Sequence, residues 1–544
     1  TIEEPLTFKG NDTRGRVSQD FKEEYDSWRD TLWQNIRNFG TNTHYHHGFN
    51  LNYAVPINKL PGFKFVGLTT QYGGDYDWQR AAIGADSLGH TIQNSNTISV
   101  NLQLNMTKLH NEIGFLKKVN KRARERQRMR TLKATPPNPN KTKAENAKKR
   151  GWKEGKAPAN IKFEEKKFKD SDSTKVELWR KVLPFKPMDV FWLGTMSLKN
   201  VAATYSKNRG TILPGYNQET SVLGQNPGFK APGFNFISGL QEKDFALKAA
   251  SENWIVNNDS TGLIYNYATT MSENYNVRAT IRPIKTLRIQ LTATRNYSSN
   301  DAQQFFAVDN NFVDTATSGG SLIDVENNGV TDRYYLVKPI KTGNFSMSFL
   351  TFNTAFLGDD PLDRSSEVFK NFLDERASIS KRLGEKNSNS IFTDENGYSD
   401  GYGETSQDVM IPAFIAAYTG KSPTNTSAFP RIPLPNWKVT FSGLSKLPAF
   451  KNTLRSLTFD HAYTSTYSIG NYTSSLLYNG NFVGLGVSEY DIPLPTFDPL
   501  TNELVPVLVM SQVSIIERFA PFIGVNIRTK SDVTVRVAYN KQRS

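Results

Sequence analysis

Cysteine is absent from the 544 residues, which removes disulfide frameworks, thiolate metal centres and cysteine nucleophiles. No window comes near 18 uninterrupted apolar residues, so a membrane-crossing helix is not expected. The chain has no G-x-S-x-G elbow, phosphate-binding glycine loop or H-E-x-x-H pattern, and nothing in it points to an enzyme or to a cofactor. Apolar residues make up only 37%, too few for a helical bundle or a doubly wound α/β enzyme, yet aromatics reach 12%. That combination suits strands that alternate polar and apolar side chains. The opening residues T-I-E-E-P lack a signal-peptide pattern, as in a cytosolic chain, a processed one or a piece of a longer one. Length leaves room for roughly two to four ordinary domains or one very large one.

The formal charge of +14 is unevenly spread. Residues 117–169 hold 20 Lys/Arg and 5 Asp/Glu, leaving 46 and 47 for the remainder of the chain. One segment is basic and the rest is neutral. Its cations include Lys117, Lys118, Lys121, Arg122, Arg124, Arg126, Arg128, Arg130, Lys148, Lys149 and Arg150. Clustered cations release counterions from nucleic-acid phosphates. Here the only interleaved rings are Trp152, Phe163 and Phe168, too sparse for base stacking. The segment therefore reads as a solvated, partly helical and partly disordered insertion that meets an acidic partner or anionic headgroups, with no nucleic acid as partner.

Period-two alternation dominates elsewhere. From Thr97 the chain runs T-I-S-V-N-L-Q-L-N-M, with Ile98, Val100, Leu102, Leu104 and Met106 on one face and amides or hydroxyls on the other. Comparable runs occupy 45–55, 63–72, 198–205, 275–281, 287–297, 345–352, 437–443, 455–467, 505–513, 521–528 and 533–539. A tilted strand crosses a hydrocarbon core in about 9–11 residues, and these runs are of that order. Compact links carrying Pro and Lys or Arg (53–63, 281–287, 443–455) alternate with long stretches at 206–259, 298–341, 356–431 and 470–502. Short turns at one end and long loops at the other describe an outer-membrane barrel better than a soluble sandwich. Two helices are expected inside the third loop, at 366–383 and 406–418. About 12 to 16 strands would close only a modest barrel. The last residues lack a terminal aromatic, so the chain is read as one arc of a larger barrel whose edges other polypeptide completes.

At 94–109 the chain reads N-S-N-T-I-S-V-N-L-Q-L-N-M-T-K-L, followed at 115–122 by F-L-K-K-V-N-K-R. With 200–206, 210–216, 435–444 and 457–467, these stretches resemble, in the same order, the SprA (Sov) family, the cell-surface translocon proteins of the type IX secretion and gliding motility system of Bacteroidota. The resemblance covers most of the chain and corresponds to a C-terminal portion of the much longer family members. It implies a transmembrane barrel on the order of 36 strands in the cell outer membrane. It also implies export of folded cargo with C-terminal secretion signals through a wide pore with a lateral opening. Implied partners are the rest of the barrel, a PorV-type shuttle barrel, a plug protein, secreted cargo, periplasmic accessory proteins and outer-membrane lipids.

The expected fold is thus all-β, an arc of a very large transmembrane antiparallel β-barrel with long extracellular loops and one basic periplasmic insertion. Residues 1–116 are barrel strands with an N-terminal partly helical connection, 117–183 the insertion, and 184–544 barrel strands with structured loops. Trp192, Tyr205, Tyr275, Tyr297, Trp437, Tyr463, Tyr467 and Tyr539 fall near the ends of expected strands, where barrels place membrane-interface rings. Other candidates are weaker. His44 and His46 share a strand face but lack a third metal ligand nearby in sequence. Residues 394–400 offer oxygen ligands to calcium, with Tyr398 in a ligand position. Asp460 and His461 point to opposite faces, which spoils a relay. A TonB-dependent-type nutrient transporter or glycan-binding outer-membrane barrel is the alternative, and a soluble basic nucleic-acid-binding β protein a third reading.

Overall fold

A computed structural model describes residues 22–37, 42–122, 125, 194–256, 264–308, 321–358, 366–421, 427–478 and 497–543, less 83, 244, 328, 329, 388, 389, 391, 499 and 502. Its centre is one antiparallel sheet of 14 strands. These are β1 (His44–Val55), β2 (Val66–Gln79), β3 (His90–Asn105), β4 (Leu198–Tyr216), β5 (Tyr265–Ile284), β6 (Leu287–Val308) and β7 (Ser321–Asn327). There follow β8 (Val330–Leu336), β9 (Ile340–Ser348), β10 (Asn436–Phe441), β11 (Leu454–Ser474), β12 (Leu508–Met510), β13 (Val513–Thr529) and β14 (Thr534–Arg543). The path runs β1-β2-β3-β4-β5-β6-β10-β11-β13-β14, and among the described residues no pair joins β1 to β14.

The helices are α1 (Lys22–Arg37), α2 (Met106–Glu112), α3 (Phe234–Ile237), α4 (Phe245–Ser251), α5 (Glu367–Gly384) and α6 (Gln407–Thr419), with one further turn at Pro448–Lys451. Both loop helices expected from the sequence are present, within a residue of their expected bounds. Ser366 caps α5 by accepting the Phe369 N–H at 3.0 Å. The apolar stripe of α5 is only partly used, because Val368 and Ile379 are buried while Phe369 and Leu373 are exposed.

Several strands are longer than the alternation indicates, and the loops correspondingly shorter. β4 continues to Tyr216, β6 to Val308 and β11 to Ser474, so the stretches 206–259, 298–341 and 470–502 begin as strand. Beyond Tyr205 the chain reads S-K-N-R-G-T, polar on both faces, and the period-two signal vanishes although the ladder to β5 continues to Ile212↔Ala268. The 505–513 run is another correction. Only Leu508–Met510 pairs there, and the long strand starts at Val513.

The links behave as expected. β1 to β2, β5 to β6, β10 to β11 and β13 to β14 connect at one end, while 217–264, 309–339 and 475–512 emerge at the other. The chain between β3 and β4, which carries the basic segment, leaves and re-enters at the short-link end. β9 and β10 share one slot. β9 pairs β6 at 295–302 and β11 at 466–473, and β10 pairs β6 at 287–292 and β11 at 459–463. They run the same way end to end, with Leu434 N–H donating to Ser348 O at 3.1 Å. Residues 349–435, including α5 and α6, are thus an excursion from the middle of a strand.

Candidate functional site

Registration assigns every strand residue to one of two faces. On the first face, Leu68, Leu102, Ala203, Val277 and Ala293 stand in one row, and Leu104, Val201, Ala279, Leu291 and Trp437 in the next. The zone continues through Val439, Phe441 and Phe459 to Val525 and Val537. All these residues lie in the strand halves beside the short links. Much of the zone is bare, including Leu51, Tyr53, Val277, Ile523, Val535 and Val537, although water penalises such a patch. The second face presents Asn50, Gln71, Asn101, Thr204, Asn276, Gln290, Thr440 and Asn526.

In the halves beside the long loops, the first face is covered by protein. Residues 217–256 form one cap. Tyr76, Trp78, Ile92, Leu213 and Tyr216 of the sheet pack with Phe236, Phe245, Trp254 and Ile255, each such burial stabilising by about 1.5–3 kcal/mol. Asn94 and Asn96 continue the row of Ile98 with amides because they hold this cap. Asn94 Nδ2 donates to Phe236 O at 2.9 Å and Asn96 Nδ2 to Gly239 O at 2.8 Å. Gly239 has φ +80°, and a Cβ there would lie 2.3 Å from Ser95 O.

The excursion 349–435 forms the second cap. Ile411 and Ile415 of α6 pack on Phe345, Met347, Tyr467, Ile469 and Ile515. Its first turn is anchored by a buried polar cluster. Glu517, 1% exposed, accepts from Thr351 Oγ1 at 2.6 Å and Tyr463 OH at 2.9 Å, and pairs with Arg543 at 3.0 Å. Arg543 also donates to the carbonyls of Thr351 and Thr354, and Lys541 Nζ to Ala355 O at 3.0 Å. No pattern in the sequence announces this cluster, because its members come from four segments.

The interface rings are placed differently from expectation. Tyr205, Tyr275 and Tyr297 lie in mid-strand, since the strands extend past the apolar zone, yet they stand at that zone's upper border. Tyr205 and Tyr275 are cross-strand partners with centroids 4.7 Å apart, and the Arg295 guanidinium lies 5.8 Å from the Tyr275 ring and 5.9 Å from that of Tyr297. Trp437 stacks on Tyr463 at 4.2 Å. Tyr463 and Tyr467 are fully buried beneath the second cap, and Tyr539 is exposed on β14. Trp192 lies outside the described residues, as do Arg124, Arg126, Arg128, Arg130, Lys148, Lys149 and Arg150. Lys117, Lys118 and Lys121 are exposed and Arg122 is half-buried, on a helical turn where Leu116 and Val119 pack on Met196.

The metal candidates resolve into ordinary polar contacts. Sequence reading missed Asp77, brought across from β2 to within 2.7 Å of His44 Nε2 and 3.5 Å of His46 Nδ1. Among the described residues no group of three or more His, Asp or Glu is arranged to hold a metal ion. Asp394 Oδ1 accepts the N–H groups of Asn396 and Tyr398 at 2.9 and 2.7 Å, a turn of the kind aspartate makes without a cation. Asp460 and His461 do point apart. The former binds Thr440 and Asn526 on the polar face, the latter the Phe522 carbonyl.

The arrangement defines a class: an antiparallel β wall, polar on one face and apolar on half of the other, with structured caps above the apolar half. Among the protein-family models and the curated proteins with which it was compared, the chain matches none.

Proposed function

We propose that this wall is an arc of a transmembrane β-barrel in the outer membrane, and that it belongs to a protein-conducting translocon of the SprA type. One observation carries the membrane reading. An apolar zone runs across ten strand positions on one face, bare in the absence of lipid, opposite a face of amides, hydroxyls and charges. Lipid solvates the first and a water-filled lumen the second. The zone is about seven residues tall, on the order of 23 Å along a strand, close to the apolar band of such barrels at about 25 Å. Among the described residues the outer edges of β1 and β14 pair with no strand, which supports an arc, since lipid leaves backbone groups without partners. Export of cargo rests on the resemblance of the six stretches at 94–109, 115–122, 200–206, 210–216, 435–444 and 457–467.

Within this chain no native cysteine competes with an introduced label. Single cysteines at Val100, Val277 and Ile289 on one face, and at Asn101, Arg278 and Gln290 on the other, are spin-labelled in the full protein reconstituted in lipid. The first series should collide with dissolved oxygen and the second with a water-soluble nickel chelate. Equal accessibility of both series to the chelate would sink the membrane reading. Photocrosslinkers at Asn101 and Gln290 in cells should then capture proteins bearing the C-terminal secretion signal. Capture of small nutrients or glycans alone would favour the transporter reading.

A further inference from the structure

We infer that Lys207, Arg209 and Arg295 form the headgroup site of a phosphate-bearing lipid whose chains lie on the apolar zone below them. This rests on the membrane-wall reading and names a ligand class for one place on that wall. Alternation along β4 puts Tyr205, Lys207 and Arg209 on the apolar face, at its upper border. Lys207 Nζ is 2.5 Å from Glu273 Oε1, and Arg295 is 3.9 Å from Glu273 Oε2. Lys207 and Arg295 therefore share one carboxylate, and Arg209 adds a third cation to the same place. Arg209 is half-buried and makes no ion pair or hydrogen bond among the described residues. A guanidinium partly withdrawn from water favours an anion, and its planar fork of donors fits phosphate oxygens.

The two caps wall the place. On one side Gln241 of the first cap accepts from Thr211 at 2.5 Å. On the other, Arg295 Nε donates to Pro430 O at 3.3 Å, and Phe429 meets Tyr297 edge-on with centroids 5.9 Å apart. Directly below lie the Tyr205–Tyr275 pair and then Ala203 and Val277. A free phosphate would leave this apolar surface bare, whereas a lipid covers both parts, so the lipid is the occupant. Tyrosines at that level suit the junction of headgroup and chain.

The test places the full protein in nanodiscs of mixed phosphatidylcholine and phosphatidylglycerol and measures, by native mass spectrometry at low salt, the phosphatidylglycerol retained relative to the bulk. Wild type should enrich the anionic lipid. Arg209→Gln should lower that enrichment about fivefold, the effect of one cation near a lipid surface, while Arg209→Lys keeps most of it. Arg536→Gln, on the opposite face, should leave it unchanged. Enrichment by Arg209→Gln equal to wild type, or an equal loss with Arg536→Gln, overturns the site. Entry into discs without enrichment overturns the site alone, whereas failure to enter discs overturns the membrane reading with it.

Discussion

Glu517→Gln probes the anchor of the second cap with little change of shape. The carboxylate is buried and receives three donors, from Thr351, Tyr463 and Arg543. A glutamine can still accept from the two hydroxyls, but its amide then faces the Arg543 guanidinium donor to donor. Breaking a buried pair by removing one partner costs about 3–5 kcal/mol. The Arg543 side chain keeps 21% exposure, so the lower figure, about 3 kcal/mol, applies. The loss is local, because among the described residues the side-chain hydrogen bonds from β14 to the excursion come from Lys541 and Arg543. Amide hydrogen exchange at 351–355 and 541–543 should therefore accelerate on the order of a hundredfold, with little change in β2 and β3. Arg543→Met alone leaves the Glu517 carboxylate buried without a cation and should do comparable harm. The double variant removes the stranded charge and should recover at least half of the protection. Wild-type exchange in Glu517→Gln, or a double variant equal to the sum of the singles, would refute this account of the anchor.

Gly239→Ala places a methyl group against Ser95 O in a left-handed backbone, and should loosen the first cap by about 2 kcal/mol. Faster limited proteolysis within 217–256, with the second cap unaffected, is the expected readout. On the proposed membrane reading, Val277→Arg should destabilise the lipid-reconstituted protein by about 2–4 kcal/mol in urea unfolding, and Gln290→Arg on the polar face by much less; equal effects would contradict the assignment of faces. On the β7–β8 hairpin the hydrogen bond from Arg333 holds the Asp324 carboxyl below its ordinary range. A depressed value stabilises the folded state above the ordinary aspartate range and is lost as pH falls through the lowered value. The protection of β8 amides, corrected for the intrinsic pH dependence of exchange, should therefore fall only below pH ~3.9, and Asp324→Asn should abolish that dependence.

Much of the wall was legible because one face of the strand halves beside the short links is largely apolar; Ile98 to Leu104 alone show which side of β3 faces which way. The helix at 367–384 was legible through a 3.6-residue apolar rhythm that Gly384 ends; the one at 407–419 is apolar nearly all round and carries no such rhythm. Strand ends were not. Above Tyr205 and Tyr297 the ladder continues under the caps, where each residue of the first face is matched to the protein that covers it, and alternation carries no signal. Asn94 and Asn96 look like breaks in an apolar row until Phe236 and Gly239 arrive to receive their amides. The Glu517 cluster and the approach of Asp77 to His44 depend on pairings between distant segments, which no local spacing encodes.

The shared slot of β9 and β10 has a consequence for assembly. β10 cannot seat against β6 until residues 349–435 have been gathered in, because Ser348 and Asn436 must arrive end to end. Closure of so long a loop is slow relative to neighbouring hairpins such as β5–β6. β11 pairs with both halves of the slot, so its zipping awaits the same event. The second cap and the junction of β6 with β11 are thus one folding unit: the edges of both strands are satisfied along the slot only when β9 and β10 are both in place.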